Sequence, residues 1–532
     1  MPASSATPSP LRPLPPAALG ALATLLLAQA LVLSVLRGGT SYDGAEQLLY
    51  TQYLDWGYGR SQPPLYTWLL WGMHQVLGVG PWAENLLKFT LLGVGLCGMA
   101  WLAQALYPRV RYAGGAALLL CLLVPDIVWE MQRNYAHSVL LFALLPWGGW
   151  LYLRACNQPT PARLLALALV AALSVLAKYN AALFWAGVAL GDVLANGRRA
   201  LPARPAAWAA ALLALALLLP HIAWVVQHPG PSLVIADRMG VNALGAPWRN
   251  AAAGAFEWLV ACLGLFALPT LVITVGLLHS RTTARGNDDR ETGGHPPPWS
   301  AALRRLGIGC AAANCTHRCL WLYASAAALA LSLLVVLLSG MTRVQPRWLL
   351  PTAVPLLALA AGWVAGQGRA WRLLRWAGLT IGVIVIVGNW WAAVKPGART
   401  AYDYAALSAV LRAQTDADCA VFTDYAHFAN LRLVDPSWRL ANPAMPRQVG
   451  LAAAHRPVAL WLAHDAAARQ ATLAFAAAQG WVPLGPPETV VLPRRWPGRD
   501  ALVAVQRLQR RLVATSAPPA PNAAGVAAPG RP

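Results

Sequence analysis

The stretch AALGALATLLLAQALVLSVL, residues 17–36, is a continuous apolar run without a charged side chain. A helix of about 20 apolar residues crosses the roughly 30 Å of hydrocarbon in a bilayer. The run is longer than the roughly 7–15 apolar residues of a signal peptide, and Arg12 is the only charged side chain in the leader before it. The run therefore predicts an uncleaved first membrane span.

Runs of the same kind recur along most of the 532 residues. The chain is 58% hydrophobic and 11% charged, with a mean hydropathy of +0.48, whereas a soluble domain has about 25% charged residues. After the first run, the further apolar runs lie at 84–106, 112–129, 137–153, 163–177, 180–196, 206–226, 254–278, 320–339, 348–366 and 372–393. The pattern predicts a polytopic α-helical membrane protein with about 11 transmembrane helices.

The formal net charge of +21 is distributed unevenly among the loops. With the N-terminus placed inside, the cytoplasmic loops hold about twice as many basic residues as the external ones, which is the positive-inside bias. The basicity is therefore explained by topology and by attraction to membrane lipid, and we predict no nucleic-acid partner. The predicted topology has a cytoplasmic N-terminus and an external C-terminus.

The segments outside the spans differ in composition. Residues 1–16 are a Pro/Ser-rich leader that we expect to be disordered and cytoplasmic, and 17–394 form the membrane domain, with a polar loop at 279–306. From residue 395 the runs CAVFTDY, PVALWLAH, ETVVLP and ALVAVQRL are typical of strands, and DAAARQATLAFAAAQG has helical spacing. We predict a small external α/β domain at 395–513, followed by a disordered Ala/Pro tail at 514–532.

The first external loop, residues 37–83, is the longest and richest in polar groups. In it, YDGAEQLLYTQYLDW has the apolar spacing of a helix that lies along the membrane surface, and GYGRSQPP interrupts it. Pro63 can open a second helix, LYTWLLWGMHQVLG, which is apolar almost all round. The loop therefore predicts a pair of surface-lying helices.

Asp43 and Glu46 lie three residues apart where the first of these helices begins, on the same side as Tyr50. One interpretation is a cap, with Asp43 at the N-cap position and Glu46 three residues on. The other is catalytic, with Asp43 as a base that takes a proton from an acceptor and Glu46 supporting it. The two interpretations do not exclude each other.

The other external loops add basic groups at membrane depth, where ionisable residues are costly unless paired or used. Together they would form a cationic pocket beside Asp43 that suits a lipid phosphate, although each side chain taken alone can also snorkel to the interface. The phosphate candidates are Arg60, Lys178, Arg343 and Arg347, and the candidates for lining the pocket are Tyr50, Tyr58, Gln62, Arg133 and His137.

A metal centre has little support in the sequence. The segment CAAANCTHRC, with Cys310, Cys315, His317 and Cys319, matches none of the standard zinc spacings, and it precedes a span on the cytoplasmic side. A divalent cation such as Mg²⁺ or Mn²⁺ stays open as a cofactor, because it could stabilise a leaving phosphate, but no set of hard ligands is evident.

Five segments carry a family resemblance: YDGAEQLLYTQYLDWGYGRSQPPLYTWL, QRNYAHSVLLFALLPWGGWLYLRA, LAKYNAALFWAGVAL, PHIAWVVQH and VQPRWLLPTAVPL. In this order they resemble the protein O-mannosyltransferase and lipid A aminoarabinose transferase superfamily over roughly residues 20–395. The resemblance implies a type C glycosyltransferase fold, a polyprenyl-phosphate-linked sugar donor and inverting transfer on the periplasmic side of the bacterial inner membrane.

The resemblance also implies roles for particular residues. Asp43 matches the first acid of the family's Asp-Glu pair, but Gly44 stands at the second position, where Glu46 would have to compensate. The aminoarabinose transferases have Glu-Lys before the Pro-Pro, and this chain has Ser61 and Gln62. His137 stands where the family often has an acid, and it would be a hydrogen-bond donor, a proton carrier or a satisfied buried histidine.

The predicted function is the transfer of a monosaccharide from a polyprenyl-phosphate donor to an envelope acceptor that is a lipid, a glycan or a protein. Two alternatives stay open. A transporter or flippase of a lipid-linked sugar would need the same pocket, although no internal repeat is evident in the sequence. A non-catalytic envelope-assembly protein would bind partners through the C-terminal domain.

Overall fold

The computed structural model describes residues 13–58, 62–229, 236–281, 313–396, 398–416, 418–445, 448 and 456–511. Most of the predicted leader at 1–16, most of the loop at 279–306 and nearly all of the tail at 514–532 lie outside these residues, so their predicted disorder stays a prediction. Arg60 and Ser61 of the first external loop lie outside them as well.

Helices form along all eleven of the apolar runs, because in hydrocarbon each backbone N–H and C=O group needs a partner within its own segment. The helices of the first 400 residues are α1 Pro16–Leu36, α2 Tyr42–Tyr50, α3 Leu65–Leu77, α4 Pro81–Leu106, α5 Ala113–Leu122, α6 Met131–Arg133, α7 His137–Asn157, α8 Pro161–Ala177, α9 Ala181–Asn196, α10 Pro205–Gln227, α11 Pro247–Arg281, α12 Ala313–Ser339, α13 Leu350–Gly366 and α14 Gly368–Val394.

Among the described residues, seven helices are long and apolar enough to cross a membrane, and α8 and α13 are shorter apolar helices. The run at 112–129, predicted as one span, is a bent pair: α5 and the segment Asp126–Arg133 meet at 77°. The break falls at Pro125, which has no N–H to continue the helix, and a π-helical turn Asp126–Glu130 follows it. The chain is a multi-pass membrane protein, and this bend brings Asp126 to the end of the bundle that carries the external loops.

Small residues let the helices of the bundle approach closely. A Cβ added at Gly191 of α9 would lie 2.4 Å from the backbone nitrogen of Ala324 in α12, and one at Gly187 would lie 2.8 Å from the Cβ of Ala328. Close packing of this kind replaces the hydrophobic driving force that is missing between helices in lipid.

The first external loop forms the two predicted helices, α2 and α3, with two corrections. The N-cap of α2 is Ser41, whose hydroxyl accepts a hydrogen bond from the Gly44 N–H, so Asp43 is not the cap but lies in the first turn. Helix α2 ends at Tyr50, before the predicted break at Gly57. It stops there because Arg432 donates hydrogen bonds to the carbonyl of Leu48 and, at 3.0 Å, to that of Thr51, which satisfies the end of the helix.

The C-terminal part is an α/β domain with six strands: β1 Ala420–Thr423, β2 Arg439–Ala441, β3 Val458–Leu462, β4 Trp481–Pro483, β5 Glu488–Leu492 and β6 Ala501–Arg510. The order is β2-β1-β3-β6-β4, with β5 also paired to β6, and β1 is parallel to β2 and β3 while β6 is antiparallel to its neighbours. The helices are α15 Tyr404–Gln414, α16 Tyr425–Val434 and α17 Ala466–Ala478. The four predicted strands and the helix α17 are confirmed.

This domain packs on the first external loop. Asn430 of α16 accepts a hydrogen bond from the backbone N–H of Thr40 at 2.7 Å, and Gly38 donates to the Thr400 carbonyl at 2.6 Å. The indole of Trp496 donates to the Leu36 carbonyl at 2.8 Å. With the Arg432 contacts, these bonds hold both ends of α2 against the domain.

Candidate functional site

Asp43 lies in the first turn of α2, where Ser41 fixes the start of the helix. Its carboxylate is 3.9 Å from the guanidinium of Arg347 and accepts a hydrogen bond from the backbone N–H of Ala136. Burial raises the pKa of Asp43, and the positive charges of Arg347, Lys88 and Lys178 oppose that rise. A carboxylate with a raised pKa beside basic groups has the properties of a general base.

Arg347 comes from the loop before α13, within the 3₁₀ turn Pro346–Trp348. Its guanidinium lies 5.0 Å from the centre of the Tyr135 ring, on the side of the site formed by the turn before α7. Asn180 donates to the Trp348 carbonyl at 2.9 Å and so joins this loop to the one after α8. The arginine that faces Asp43 is therefore held between three external loops.

Lys178 follows the last residue of α8 and is buried. Its amine donates a hydrogen bond to the Ser138 hydroxyl at 2.8 Å. The pKa of Lys178 is lowered to about 7, chiefly by burial and also by the charge of Arg347, while Asp43 and Asp126 oppose the change. The amine therefore changes charge near neutral pH, and it lies within electrostatic reach of both carboxylates.

Asp126 was not among the residues proposed from the sequence. It is buried at the start of the π-helical turn after Pro125 and accepts a hydrogen bond from the Tyr135 hydroxyl at 3.1 Å. It interacts electrostatically with Arg347 and Lys178. In the sequence, Asp126 can be recognised as an acid directly after a proline inside a predicted span, where an unused charge is costly.

Glu84 and Lys88 form a second group that the sequence reasoning missed. Both are buried near the start of α4, and the Lys88 amine lies 3.3 Å from the Glu84 carboxylate. The Thr40 hydroxyl donates to the same carboxylate at 2.7 Å. Lys88 also interacts electrostatically with Asp43, so it links the two acids. An acid and a base four residues apart inside an otherwise apolar run are the signal for such a pair.

The acid beside Gly44 is Glu84, whose carboxylate lies against the glycine. Glu46, which was expected to compensate for the missing second acid, accepts a hydrogen bond from the Tyr50 hydroxyl at 3.4 Å. A catalytic or supporting role of Glu46 stays a prediction, and the carboxylate that lies against Gly44 is that of Glu84.

His137 is buried at the start of α7, with both ring nitrogens in hydrogen-bond range of a partner. One nitrogen lies 3.3 Å from the Ala177 carbonyl, and the other lies 3.1 Å from the amide nitrogen of Gln47. Gln47 also accepts from the Thr67 hydroxyl at 2.7 Å. Since the Gln47 amide donates, the network assigns the ring proton to the side of Ala177. This geometry fits the satisfied buried histidine among the three alternatives.

The remaining candidates lie apart from Asp43 or outside the described residues. Tyr50 and Tyr58 are stacked 5.1 Å apart in the core shared with the C-terminal domain, so they do not line the site. Arg133 lies 4.8 Å from the Trp129 ring and borders a cavity beside the start of α2. Arg343 is exposed, Gln62 is half-buried before the Pro63-Pro64 turn, and Arg60 lies outside the described residues.

Within the part of the chain that the structure describes, no group of three or more His, Cys, Asp or Glu side chains is arranged to hold a metal ion. Cys310 lies outside that part, and the ring of His317 contacts the Asn157 side chain at 2.9 Å. The acids Asp43 and Asp126 face basic side chains. A divalent cation stays a prediction that these contacts neither require nor test.

The chain is similar to known glycosyltransferases. Residues 61–224 match the family model described as dolichyl-phosphate-mannose-protein mannosyltransferase. The chain is 30% identical over 365 residues to lipopolysaccharide core galacturonosyltransferase RgtA of Rhizobium johnstonii, and this alignment covers 65% of each chain. It is 28% identical over 335 residues to RgtB of the same organism, which covers 61% of this chain and 62% of the relative. The alignments therefore span less than two thirds of these relatives.

The fold also resembles that of a solved structure. It is similar to that of the crystal structure of ArnT from Cupriavidus metallidurans bound to undecaprenyl phosphate, with a TM-score of 0.56, an identity of 13%, and coverage of 92% of this chain and 98% of the other. This likeness shows the fold, a type C glycosyltransferase-like bundle with a C-terminal domain. The predicted resemblance to the protein O-mannosyltransferase and lipid A aminoarabinose transferase superfamily is confirmed.

Proposed function

We propose that this chain, built on the type C glycosyltransferase fold, transfers a monosaccharide from a polyprenyl-phosphate donor to an envelope acceptor. The transfer would be inverting and would occur on the periplasmic side of the bacterial inner membrane. The observation that carries the proposal is the Asp43 carboxylate facing Arg347 and Lys178 where the external loops meet. A base beside two cations is what a sugar-phosphate substrate requires.

Each group has a role in this reaction. Asp43 takes the proton of the acceptor hydroxyl as its oxygen attacks the anomeric carbon of the sugar. The bond from that carbon to the phosphate oxygen breaks, and its electron pair stays on the polyprenyl phosphate. Arg347 and the charged form of Lys178 stabilise the negative charge that develops there. The raised pKa of Asp43 makes it a stronger base for that proton.

We extend the proposal to the substrates. Two relatives bear the name lipopolysaccharide core galacturonosyltransferase, and the solved structure with this fold contains undecaprenyl phosphate. These names support a uronic acid on undecaprenyl phosphate as the donor and a lipopolysaccharide core saccharide as the acceptor. The proposal thus selects a glycan among the three acceptor classes that the sequence leaves open.

The test uses purified full-length protein in nanodiscs with radiolabelled polyprenyl-phosphate sugars, namely galacturonic acid, a neutral hexose and an aminopentose, and lipopolysaccharide as acceptor. Release of polyprenyl phosphate and labelled lipopolysaccharide are measured. We expect turnover with the galacturonosyl donor and a loss of about 10²–10⁴-fold in Asp43→Asn. The matched control is Asp55→Asn in the same loop, where the carboxylate accepts from the Trp56 N–H at 2.7 Å.

The outcomes separate the alternatives. Turnover that survives Asp43→Asn contradicts the assignment of the base. Turnover with the hexose alone contradicts the uronic acid donor. Movement of label across sealed proteoliposomes without cleavage of the sugar–phosphate bond would establish the transporter, and donor binding with neither cleavage nor movement would favour the assembly protein.

A further inference from the structure

A cavity of about 540 Å³ lies between the C-terminal domain and the external end of the helical bundle. The membrane side is formed by the end of α1, the N-terminal turn of α2, the segment after α6 and the end of α14, and includes Arg37, Arg133 and Lys395. The domain side is formed by the loops after β1 and β3 and includes Asp424, Tyr425 and Asp465. A volume of several hundred Å³ is that of a small-molecule site.

The sheet topology places this cavity where α/β domains bind ligands. From β1 the chain passes through α16 to β2 on one side, and β3 then pairs with β1 on the other side, both in parallel. The strand order therefore reverses between β1 and β3. In open α/β sheets, ligands bind in the crevice outside the carboxyl ends of the strands at such a reversal. Asp424 directly follows β1, and Asp465 follows β3 within three residues.

The side chains around the cavity are of three kinds: aromatic rings, carboxylates and basic groups. The rings of Tyr42 and Tyr425 lie 5.4 Å apart and give it an aromatic wall. Asp465 offers a carboxylate fixed by the Ala468 N–H at 2.9 Å. Basic groups stand on the opposite, membrane-facing side. Carboxylates accept hydrogen bonds from sugar hydroxyls, an aromatic face packs on the apolar face of a pyranose, and Arg and Lys bind anionic substituents.

The cavity and the Asp43 site share their walls. Thr40, Ser41 and Tyr42 of the N-terminal turn of α2 line the cavity, and the next residue is Asp43. Asn134 also lines it, and two residues further on the Ala136 N–H bonds to the Asp43 carboxylate. A saccharide held in the cavity therefore has a short path around the start of α2 to the base.

We propose that this inter-domain cavity binds the acceptor as an acidic oligosaccharide, with its anionic groups toward Arg133 and Lys395 and its hydroxyls toward Asp465 and the tyrosines. The inference rests on the proposed function, which it deepens by giving the acceptor a site. It assigns the C-terminal domain the role of acceptor recognition, while the donor is held by the bundle.

The test measures binding directly, by isothermal titration calorimetry on full-length protein in nanodiscs. The probes are a phosphate-bearing core oligosaccharide released from lipopolysaccharide by mild acid and the same oligosaccharide after dephosphorylation. We expect binding of the first, and affinity at least about tenfold weaker for the second, since a charge-assisted contact is lost.

Two variants test the site. Lys395→Gln removes a basic group at an exposed position, where the substitution leaves the fold intact, and Ala468→Phe fills the cavity from the N-terminal turn of α17. We expect each to weaken binding of the phosphorylated probe at least about tenfold. The matched control, Arg469→Gln, alters the exposed residue next to Ala468 and is expected to bind like the wild type. Wild-type affinity in both variants, or no binding of either probe to the wild type, overturns the proposal.

A second readout separates this inference from the proposed function. Hydrolysis of the polyprenyl-phosphate sugar by water, without acceptor, reports the donor site alone, and both variants are expected to keep it while raising the KM for the acceptor. If no donor is ever cleaved but the probe still binds and depends on Lys395, the proposed function fails and the saccharide site stands. If transfer depends on Asp43 while the variants keep the wild-type acceptor KM, the enzyme stands and the cavity site is wrong.

Discussion

The carboxylate of Glu84 occupies the space that a side chain at Gly44 would need. A Cβ built on Gly44 would lie 2.3 Å from the Glu84 Oε1 atom and 2.1 Å from the Thr40 hydroxyl oxygen. The glycine therefore allows α2 to approach α4 closely enough for a buried acid of α4 to lie against Gly44. Lys88, which pairs with this acid, also interacts electrostatically with Asp43.

We predict that Gly44→Ala displaces α2 and destabilises the protein by about 1–3 kcal/mol, the usual cost of overpacking. Transfer should fall with it, because Asp43 is one residue away. The matched control is Gly72→Ala in α3, where a Cβ meets nothing within 4 Å and the substitution should be neutral or slightly stabilising. Thermal unfolding in detergent and the transfer rate are measured for both. Equal behaviour of the two variants would contradict the close approach.

A second prediction concerns the buried pair of Glu84 and Lys88. Glu84→Gln leaves the Lys88 ammonium buried without its carboxylate, which costs about 3–5 kcal/mol. The double variant Glu84→Gln/Lys88→Met removes the uncompensated charge and should recover much of that stability. A double-mutant cycle on thermal unfolding gives the coupling, and additive losses would show that the two side chains do not act as a pair.

The pH dependence of kcat/KM follows from Asp43 and Lys178. Asp43 must be ionised to accept a proton, and burial raises its pKa, so activity should fall as the pH drops through that value. Lys178 must be charged to bind phosphate, and its pKa is about 7, so activity should also fall as the pH rises above about 7. Lys178→Arg should move the alkaline limb to higher pH, because arginine stays protonated. An alkaline limb that this substitution leaves in place must belong to another group.

His137 provides a test between a structural and a proton-carrying role. Its contacts with Gln47 and Ala177 predict that His137→Gln lowers the unfolding temperature but leaves the shape of the pH–rate profile unchanged. Gln47→Ala should also lower the unfolding temperature, because Gln47 belongs to the same hydrogen-bond network, which joins α2 to α3 and α7. Loss of one limb of the profile in His137→Gln would show that the histidine carries a proton.

The sequence predicts most of the fold because hydropathy alone determines which segments become membrane helices. The strands at 420–423 and 458–462 were also evident, since short runs bounded by polar residues are typical of an α/β domain. Two boundaries were wrong. Pro125 bends one span locally, and a tertiary contact with Arg432, almost 400 residues away along the chain, ends α2.

The candidate site was predicted in part. Asp43, Lys178 and Arg347 are brought together, because each stands at the external end of a helix. The sequence does not single out Glu84 because it opens an apolar run, or Asp126 because the run around it predicts a straight helix. The charge partner of Glu84, Lys88, lies only four residues away, whereas the basic groups near Asp126, Arg347 and Lys178, come from distant parts of the chain that no local pattern specifies.

The bonds that Asn430 and Arg432 make to the two ends of α2 have a consequence for how the protein matures. The residues that fix the two ends of α2 follow it by almost 400 positions along the chain, so they are synthesised later than the helix. Asp43, in the first turn of α2, therefore reaches its final position only after the C-terminal domain has been synthesised and has folded against this helix. We therefore expect a chain truncated before Asn430 to lose the contacts that fix α2 and, with them, the position of Asp43.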